Sequence, residues 1–316
     1  MVEAHLAGAY PRSEKLVEAT RAAVRGRITE ADVDNVLLGD IKGVADLQLG
    51  ARLDSVVDGQ LNWQDLFRPF CELFSGVQLG GLSRWFDNNA FYRKPIVVDR
   101  VAFKGASIKR YFRNDLLPAH AHARAILPGP FTFAIMSQNS AYPSLEDLVD
   151  DIAHGLKETV VSLRKKGYHY FQFNEPALCV GNRSKRELEV AKRGIEVCAK
   201  GAGGKSILQT YFGDASPIID TLLDYEVDCL GLDFYATSTR SLADHDFNKE
   251  LACWCVDGRN SLLESPEDLR KFVAEVREEL EPKGLFINPN CDLEFLPQAV
   301  AEKKVRLLAE TKGLLA

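Results

Sequence analysis

Eight short apolar runs each lead into polar residues that could bind or react. Tyr10-Pro11-Arg12 close the first run, Asp58-Gly59-Gln60 the second and Pro128-Gly129-Pro130 the third. Asn174-Glu175-Pro176 follow the fourth, Gln209-Thr210-Tyr211 end the fifth and Asp233 ends the sixth. Asp257-Gly258-Arg259-Asn260 and Asn288-Pro289-Asn290-Cys291 follow the last two. The acids Asp58, Glu175, Asp233 and Asp257 can exchange protons or hold cations. Arg12 and Arg259 suit anionic groups, and the amides of Gln60, Asn174, Gln209 and Asn290 can orient a polar substrate. Cys291 can serve as a nucleophile or a metal ligand once deprotonated. Taken singly, each also reads as a cap or turn residue, since Asp, Asn, Gly and Pro are turn chemistry. Together on one rim they point to a small-molecule site.

The runs themselves (residues 4–10, 55–58, 123–127, 168–173, 206–211, 229–233, 251–256 and 285–288) are short and rich in β-branched and aromatic residues. That composition suits strands buried on both faces of a parallel sheet. Helical patterns with start signals lie between them. Ser144 with Asp147, Ser184 with Glu187 and Thr29 with Asp32 read as capping pairs. Ser265-Pro266-Glu267-Asp268 offers an N-cap, a Pro at the first helical position and early acids, and Ser216-Pro217 opens a shorter helix. Residues 12–50 read as two helices. Alternating strands and helices imply a parallel sheet with right-handed crossovers. Eight strands favour a single (β/α)8 TIM barrel over an open doubly wound sheet, with reactive groups at the carboxyl ends of the strands. Residues 76–120 carry many aromatics and charges but few helical signals. They are expected to form a long excursion between the second and third strands that dresses the catalytic face. No linker divides residues 1–316, so one domain is expected.

The 316 residues are 46% hydrophobic and 27% charged, which excludes a disordered chain. With 39 Lys+Arg against 45 Asp+Glu the net charge is −6, giving no basic footprint for nucleic acid. No apolar stretch reaches the roughly 18–20 residues of a membrane span, and the first residues lack the features of a signal peptide. Seven cysteines, an odd number in a long chain, suit a reduced, cytoplasmic protein. Cys253-Trp254-Cys255 reads as two buried strand cysteines rather than a metal clip. His120 and His122 precede the third strand, on the side opposite the chemistry, and read as solvated loop residues. Neither a glycine-rich phosphate loop nor a serine nucleophile elbow is present.

Several strings resemble cobalamin-independent methionine synthase. Asn174-Glu175-Pro176-Ala177-Leu178 is similar to its D-E-P-A-L segment, and Gly8-Ala9-Tyr10-Pro11-Arg12 to its G-S-[FY]-P-R turn. Residues 127–132, 209–213, 256–260 and 288–293 follow in the family's order and spacing, so the resemblance covers essentially the whole chain. Trp85-Phe86-Asp87-Asn88-Asn89, with the Tyr-Phe-Gly and Asp-Gly-Arg-Asn strings, looks like the family's N-terminal barrel.

The resemblance implies a methyltransferase of methionine biosynthesis and one-carbon metabolism, moving a methyl group from methyltetrahydrofolate to the zinc-bound thiolate of homocysteine. The family's zinc ligands fall on Gln209, Tyr211, Asp233 and Cys291, of which only Asp233 and Cys291 are competent, so no zinc is expected in this chain. Two carboxylates of the family's amino-acid site fall on Gln60 and Asn174. Asp233 and Cys291 are therefore the candidate catalytic residues. Gln60, Asn174, Glu175, Gln209, Tyr211, Asp257, Arg259 and Asn290 are the candidate substrate-binding residues. Arg12, Lys15 and Arg21 are basic candidates for the anionic tail of a folate. The leading expectation is a component that works with a separate zinc-bearing barrel. The alternatives are a self-sufficient enzyme with a diverged one-carbon or thiol substrate, in which Cys291 is a nucleophile, and a non-catalytic structural partner. For the last, Trp63, Leu66, Phe67, Phe70, Phe74 and Trp85 would supply an apolar face, although most read as core.

Overall fold

The computed structural model describes residues 2–86 and 90–315, so Asp87, Asn88 and Asn89 of the string quoted above lie outside the described residues. Among the described residues the strands are β1 (Val2–Ala4), β2 (Phe74–Arg84), β3 (Phe91–Phe103), β4 (Ala123–Pro128), β5 (Gln138–Asn139), β6 (Tyr168–Asn174), β7 (Lys205–Gln209), β8 (Cys229–Asp233), β9 (Glu250–Val256) and β10 (Leu285–Pro289). The helices are α1 (Glu14–Val24), α2 (Glu30–Gly50), α3 (Arg68–Leu73), α4 (Ile108–Tyr111), α5 (Pro130–Ile135), α6 (Leu145–Arg164), α7 (Lys185–Ala199), α8 (Ile219–Leu223), α9 (Pro266–Leu280) and α10 (Gln298–Leu314).

Seven strands form a curled parallel sheet in the order β1-β10-β9-β8-β7-β6-β4. Every residue of β4, β8 and β10 is buried, as expected of strands covered on both faces. The expected second strand is reduced to a single parallel bridge, Val56 to Ala123. Its segment nevertheless fills the gap between β4 and β1. Val56 N–H donates to His122 O, Arg124 N–H donates to Val56 O, and Asp54 N–H donates to Ala4 O, all at 2.9 Å. The first strand is also shorter than expected and stops at Ala4. Leu6, Ala7 and Tyr10 are buried in the loop beyond it, which is why the apolar run looked longer than the strand.

The helix starts follow the sequence. Thr29 and Ser184 make reciprocal capping boxes, and the Ser144 and Ser265 side chains accept the amides of Asp147 and Asp268. The excursion is a long antiparallel hairpin, β2–β3, extended by β5. Phe67, at the start of α3, meets Trp85, Tyr92 and Phe133 edge-on with ring centroids 5.1–5.4 Å apart, so aromatic packing ties the hairpin to α5, which follows β4. Trp63, Phe67, Phe70, Phe74 and Trp85 are buried and Leu66 is half-buried, so this set does not provide the exposed apolar face of the structural-partner alternative.

The sheet interior is polar. Arg124 donates to Ser55 Oγ at 2.9 Å and to Gln172 Oε1 at 3.2 Å, and its guanidinium lies 5.0 Å from the Tyr170 ring centroid. Gln172 in turn donates to Ala7 O and to Asn174 Oδ1, both at 2.9 Å. These bonds tie the loop after β1 to the carboxyl end of β6. Cys253 and Cys255 are buried within β9, as expected, and no helix among the described residues is long and apolar enough to cross a membrane.

Candidate functional site

Beyond the carboxyl ends of the parallel strands lies a cavity of ≈ 50 Å³. Ala9 and Gln60 reach it from the loops after β1 and after the Val56 bridge, and Trp63 and Asp65 from the segment before α3. Trp85 and Tyr92 come from the facing ends of the hairpin, Tyr211 follows β7, and Asp292 and Glu294 follow β10. Gln60, Gln64, Phe86 and Phe212, in or next to this lining, adopt φ of 51°, 67°, 50° and 69°. They are four of the six non-glycine residues with positive φ among the described residues. Each such conformation costs about 1–2 kcal/mol, and strain of this kind gathers where geometry is held for function.

The acids of the cavity are held from the backbone. Ala9 N–H donates to Asp292 Oδ1 at 2.8 Å. A Cβ on Gly8 would sit 2.7 Å from that oxygen and 2.8 Å from Gln60 Oε1, so the turn needs a glycine to bring both side chains in. Burial pushes the Asp292 carboxyl up to about 6. Asp65 accepts from the amides of Phe67, Arg68 and Arg93 at 2.8–3.1 Å, yet burial still raises it. Glu294 stands at the solvent-open mouth, where the enclosing walls and then the Asp292 charge raise it while Arg12 opposes. Gln60 is 8% exposed and its Nε2 has no hydrogen-bond partner.

The residues expected from sequence divide into several groups. Gln60 and Tyr211 line the cavity, and the Tyr211 ring stacks on Trp254 at 5.4 Å. Asp233 accepts from the amides of Tyr235 (3.0 Å) and Phe212 (3.4 Å) and from Asn290 Nδ2 (3.4 Å). Asn290 Oδ1 accepts Gly258 N–H at 2.8 Å, so Asp233, Asn290 and the turn after β9 form one unit. Arg259 is exposed beside that unit, its backbone bonded to Asp257 Oδ1 and its guanidinium over the Phe212 ring. Asp58 accepts the Gln60 amide of its own loop and the Arg113 amide of the segment after α4.

Glu175 is fully buried. It accepts Phe131 N–H at 2.9 Å and Thr132 N–H at 2.7 Å, clamping the start of α5. A Cβ on Gly129 would fall 2.1 Å from its Cδ, so this glycine makes the space. Burial raises the carboxyl to about 7. Arg12 lines a separate groove of ≈ 450 Å³ with Arg110 and Arg113, and Gln64 borders both this groove and the cavity. Lys15 and Arg21, on α1, are exposed outside the groove lining.

The four positions expected to correspond to a zinc site do not fit that ion. Gln209 donates its Nε2 to Thr210 O at 3.0 Å and offers only an amide oxygen, Tyr211 offers a phenol whose ring is stacked, and the Asp233 oxygens already accept N–H donors. Burial followed by the charge of Asp292 raises the Cys291 thiol well above its ordinary value, disfavouring a thiolate. Among the described residues no three His, Cys, Asp or Glu side chains gather as a metal site.

Sequence reading missed Asp65, Asp292 and Glu294 as site residues. The last two lie only one and three positions past Cys291, so extending the strand-end search by one turn finds them.

A family model described as the cobalamin-independent synthase N-terminal domain matches residues 77–281. The chain belongs to this family. Relatives similar to it include methionine synthase of Saccharolobus islandicus, 25% identical over 307 residues, covering 96% of this chain and 91% of the relative. Methionine synthase of Sulfurisphaera tokodaii is 27% identical over 310 residues, covering 97% and 89%. The fold is similar to that of a B12-independent methionine synthase from Shewanella solved with selenomethionine, with TM-score 0.79 and 16% identity over 99% of this chain and 97% of that one. A putative vitamin-B12-independent methionine synthase from Listeria monocytogenes gives the same TM-score and identity, covering 100% and 99%.

Proposed function

We propose that this cobalamin-independent synthase family member is a methyl-transfer component of methionine biosynthesis, working with a separate zinc-bearing barrel. Residues 1–316 act as one (β/α)8-type unit in this reading, with the Val56 segment standing in for a second strand. Support for the unit comes from the hydrogen bonds of Asp54 and Val56 to both neighbours. Family membership supports the methyl-transfer class. The observation that carries the need for a partner is the state of the four zinc-equivalent side chains, which are an amide, a stacked phenol, a bonded carboxylate and a buried thiol. Without metal, a homocysteine thiol with a pKa of about 8.5 stays mostly protonated at pH 7. The partner barrel would supply the thiolate. The groove of Arg12, Arg110 and Arg113 also holds Glu30 and Asp34, and Arg110 and Arg113 pair with Glu72 and Asp115, so the anionic tail of a methyl-folate donor would rest chiefly on Arg12, reaching toward the cavity past Gln64.

The test mixes the purified chain with a zinc-bearing homologous barrel and follows both association and methyl transfer from methyltetrahydrofolate to homocysteine. Association with a rise in rate is expected. Absence of both overturns the partner reading. A second reading, a self-sufficient enzyme with a diverged substrate, is favoured by the chain's own acid-lined cavity. Stabilisation by a one-carbon donor or a thiol without any partner would support it.

A further inference from the structure

The cavity holds Asp65, Asp292 and Glu294 and six aromatic rings, and among the described residues no Lys, Arg or His side chain lines it. Among the described residues none of the three acids makes an ion pair. Burial and then the Asp292 charge raise Glu294, and a bound cation would favour the ionised form of both acids. A metal ion is a poor occupant, since the Asp65 oxygens and Asp292 Oδ1 already accept backbone amides. Aromatic walls instead attract a diffuse cation whose charge is spread over methyl groups. At ≈ 50 Å³ the cavity admits only a small group, so the rest of such a ligand would lie at the mouth beside Glu294. Gln60 adds an independent pointer, because its buried Nε2 is a donor without a partner in the cavity wall.

We propose that the cavity binds a small methylated onium cation that also carries an oxygen acceptor, the onium among the aromatic rings and carboxylates and the acceptor on Gln60. This rests on reading the cavity as the substrate site, and it names the ligand class rather than the reaction.

Titration calorimetry on the full chain compares trimethylglycine, tetramethylammonium and 3,3-dimethylbutanoate, the last keeping the shape and carboxylate of trimethylglycine without its cation. Trimethylglycine is expected to bind at least about tenfold tighter than 3,3-dimethylbutanoate. Glu294→Gln, at the open mouth, and Asp292→Asn should each weaken trimethylglycine and tetramethylammonium. Gln60→Ala should weaken trimethylglycine and spare tetramethylammonium. Equal binding of 3,3-dimethylbutanoate, tighter binding of methylammonium than of tetramethylammonium, or affinity unchanged in folded Glu294→Gln would overturn the proposal. Because the readout is binding alone, absence of methyl transfer with the partner barrel would count against the functional reading and leave this one standing.

Discussion

Glu175 was legible as a strand-end acid, but the bonds that hold it were not. Its carboxylate closes the start of α5, and Gly129 makes room for it. The folded-state value is raised from 4.5 to about 7, chiefly by burial. The folded chain therefore holds this proton after the unfolded chain has released it. The resulting stability is present below pH 4.5 and is lost as pH rises through 7, a change of about 3 kcal/mol. Denaturant titrations at pH 5 and pH 8 should show this decline, and Glu175→Gln should flatten it. An unchanged slope in the variant would remove Glu175 as its source. The wider lesson at this scale concerns partners. Sequence spacing located the rim residues, but not which would be consumed by their own loops. Asp58 and Asp233 are occupied by nearby amides, while Asp292 and Glu294 are turned into the cavity. That division depends on turn geometry, including a left-handed Gln60 that nothing in its residue type announces.

At the scale of elements, helix starts were the most legible feature, because a capping Ser or Thr acts through bonds three residues away. The hairpin was least legible. Its register shifts between Ser75 and Val77 and again between Leu79 and Leu82, so the alternation that marks a strand is broken twice. A second consequence of packing lies under the β9–α9 connection. Lys304 on α10 has a fully buried side chain and donates to both Glu264 oxygens at 2.9–3.0 Å and to Leu262 O at 2.9 Å. Glu264 also accepts Asp257 N–H at 2.7 Å and the Tyr235 hydroxyl at 3.1 Å. Removing the ammonium would leave this carboxylate short of its principal partner. Lys304→Ala is expected to cost about 3 kcal/mol in equilibrium unfolding. It should also loosen the Asp257 turn, seen as faster amide exchange at Asp257. A loss below about 1 kcal/mol would show that water replaces the pair.

For the whole molecule, the family and the α/β class followed from motif order and from strand–helix alternation, both properties of the full length. The count of eight strands did not follow in detail, since the second position is held by one bridge and by bonds from Asp54 and Val56. Elemental analysis of the purified, untagged chain should find well under one zinc per chain. About one zinc per chain, retained through dialysis against a chelator, would overturn the partner-dependent reading and make a self-contained methyltransferase the better account.

The order of the sheet also sets an order of assembly. β4, β6, β7, β8 and β9 each neighbour a strand close in sequence, and can pair while the chain is still being made at about 5–20 residues per second. β1 has β10 as its strand partner, with Val2 opposite Leu285, so nine-tenths of the chain must be synthesised before the ladder can close. Until then its hold is Asp54, which bonds Ala4 through backbone and side chain and is later gripped by Lys312 on α10 at 2.6–2.7 Å. One aspartate thus joins the first strand, the Val56 segment and the last helix. A chain released before β10 emerges would carry an open sheet edge, the form most exposed to mispairing with a second copy.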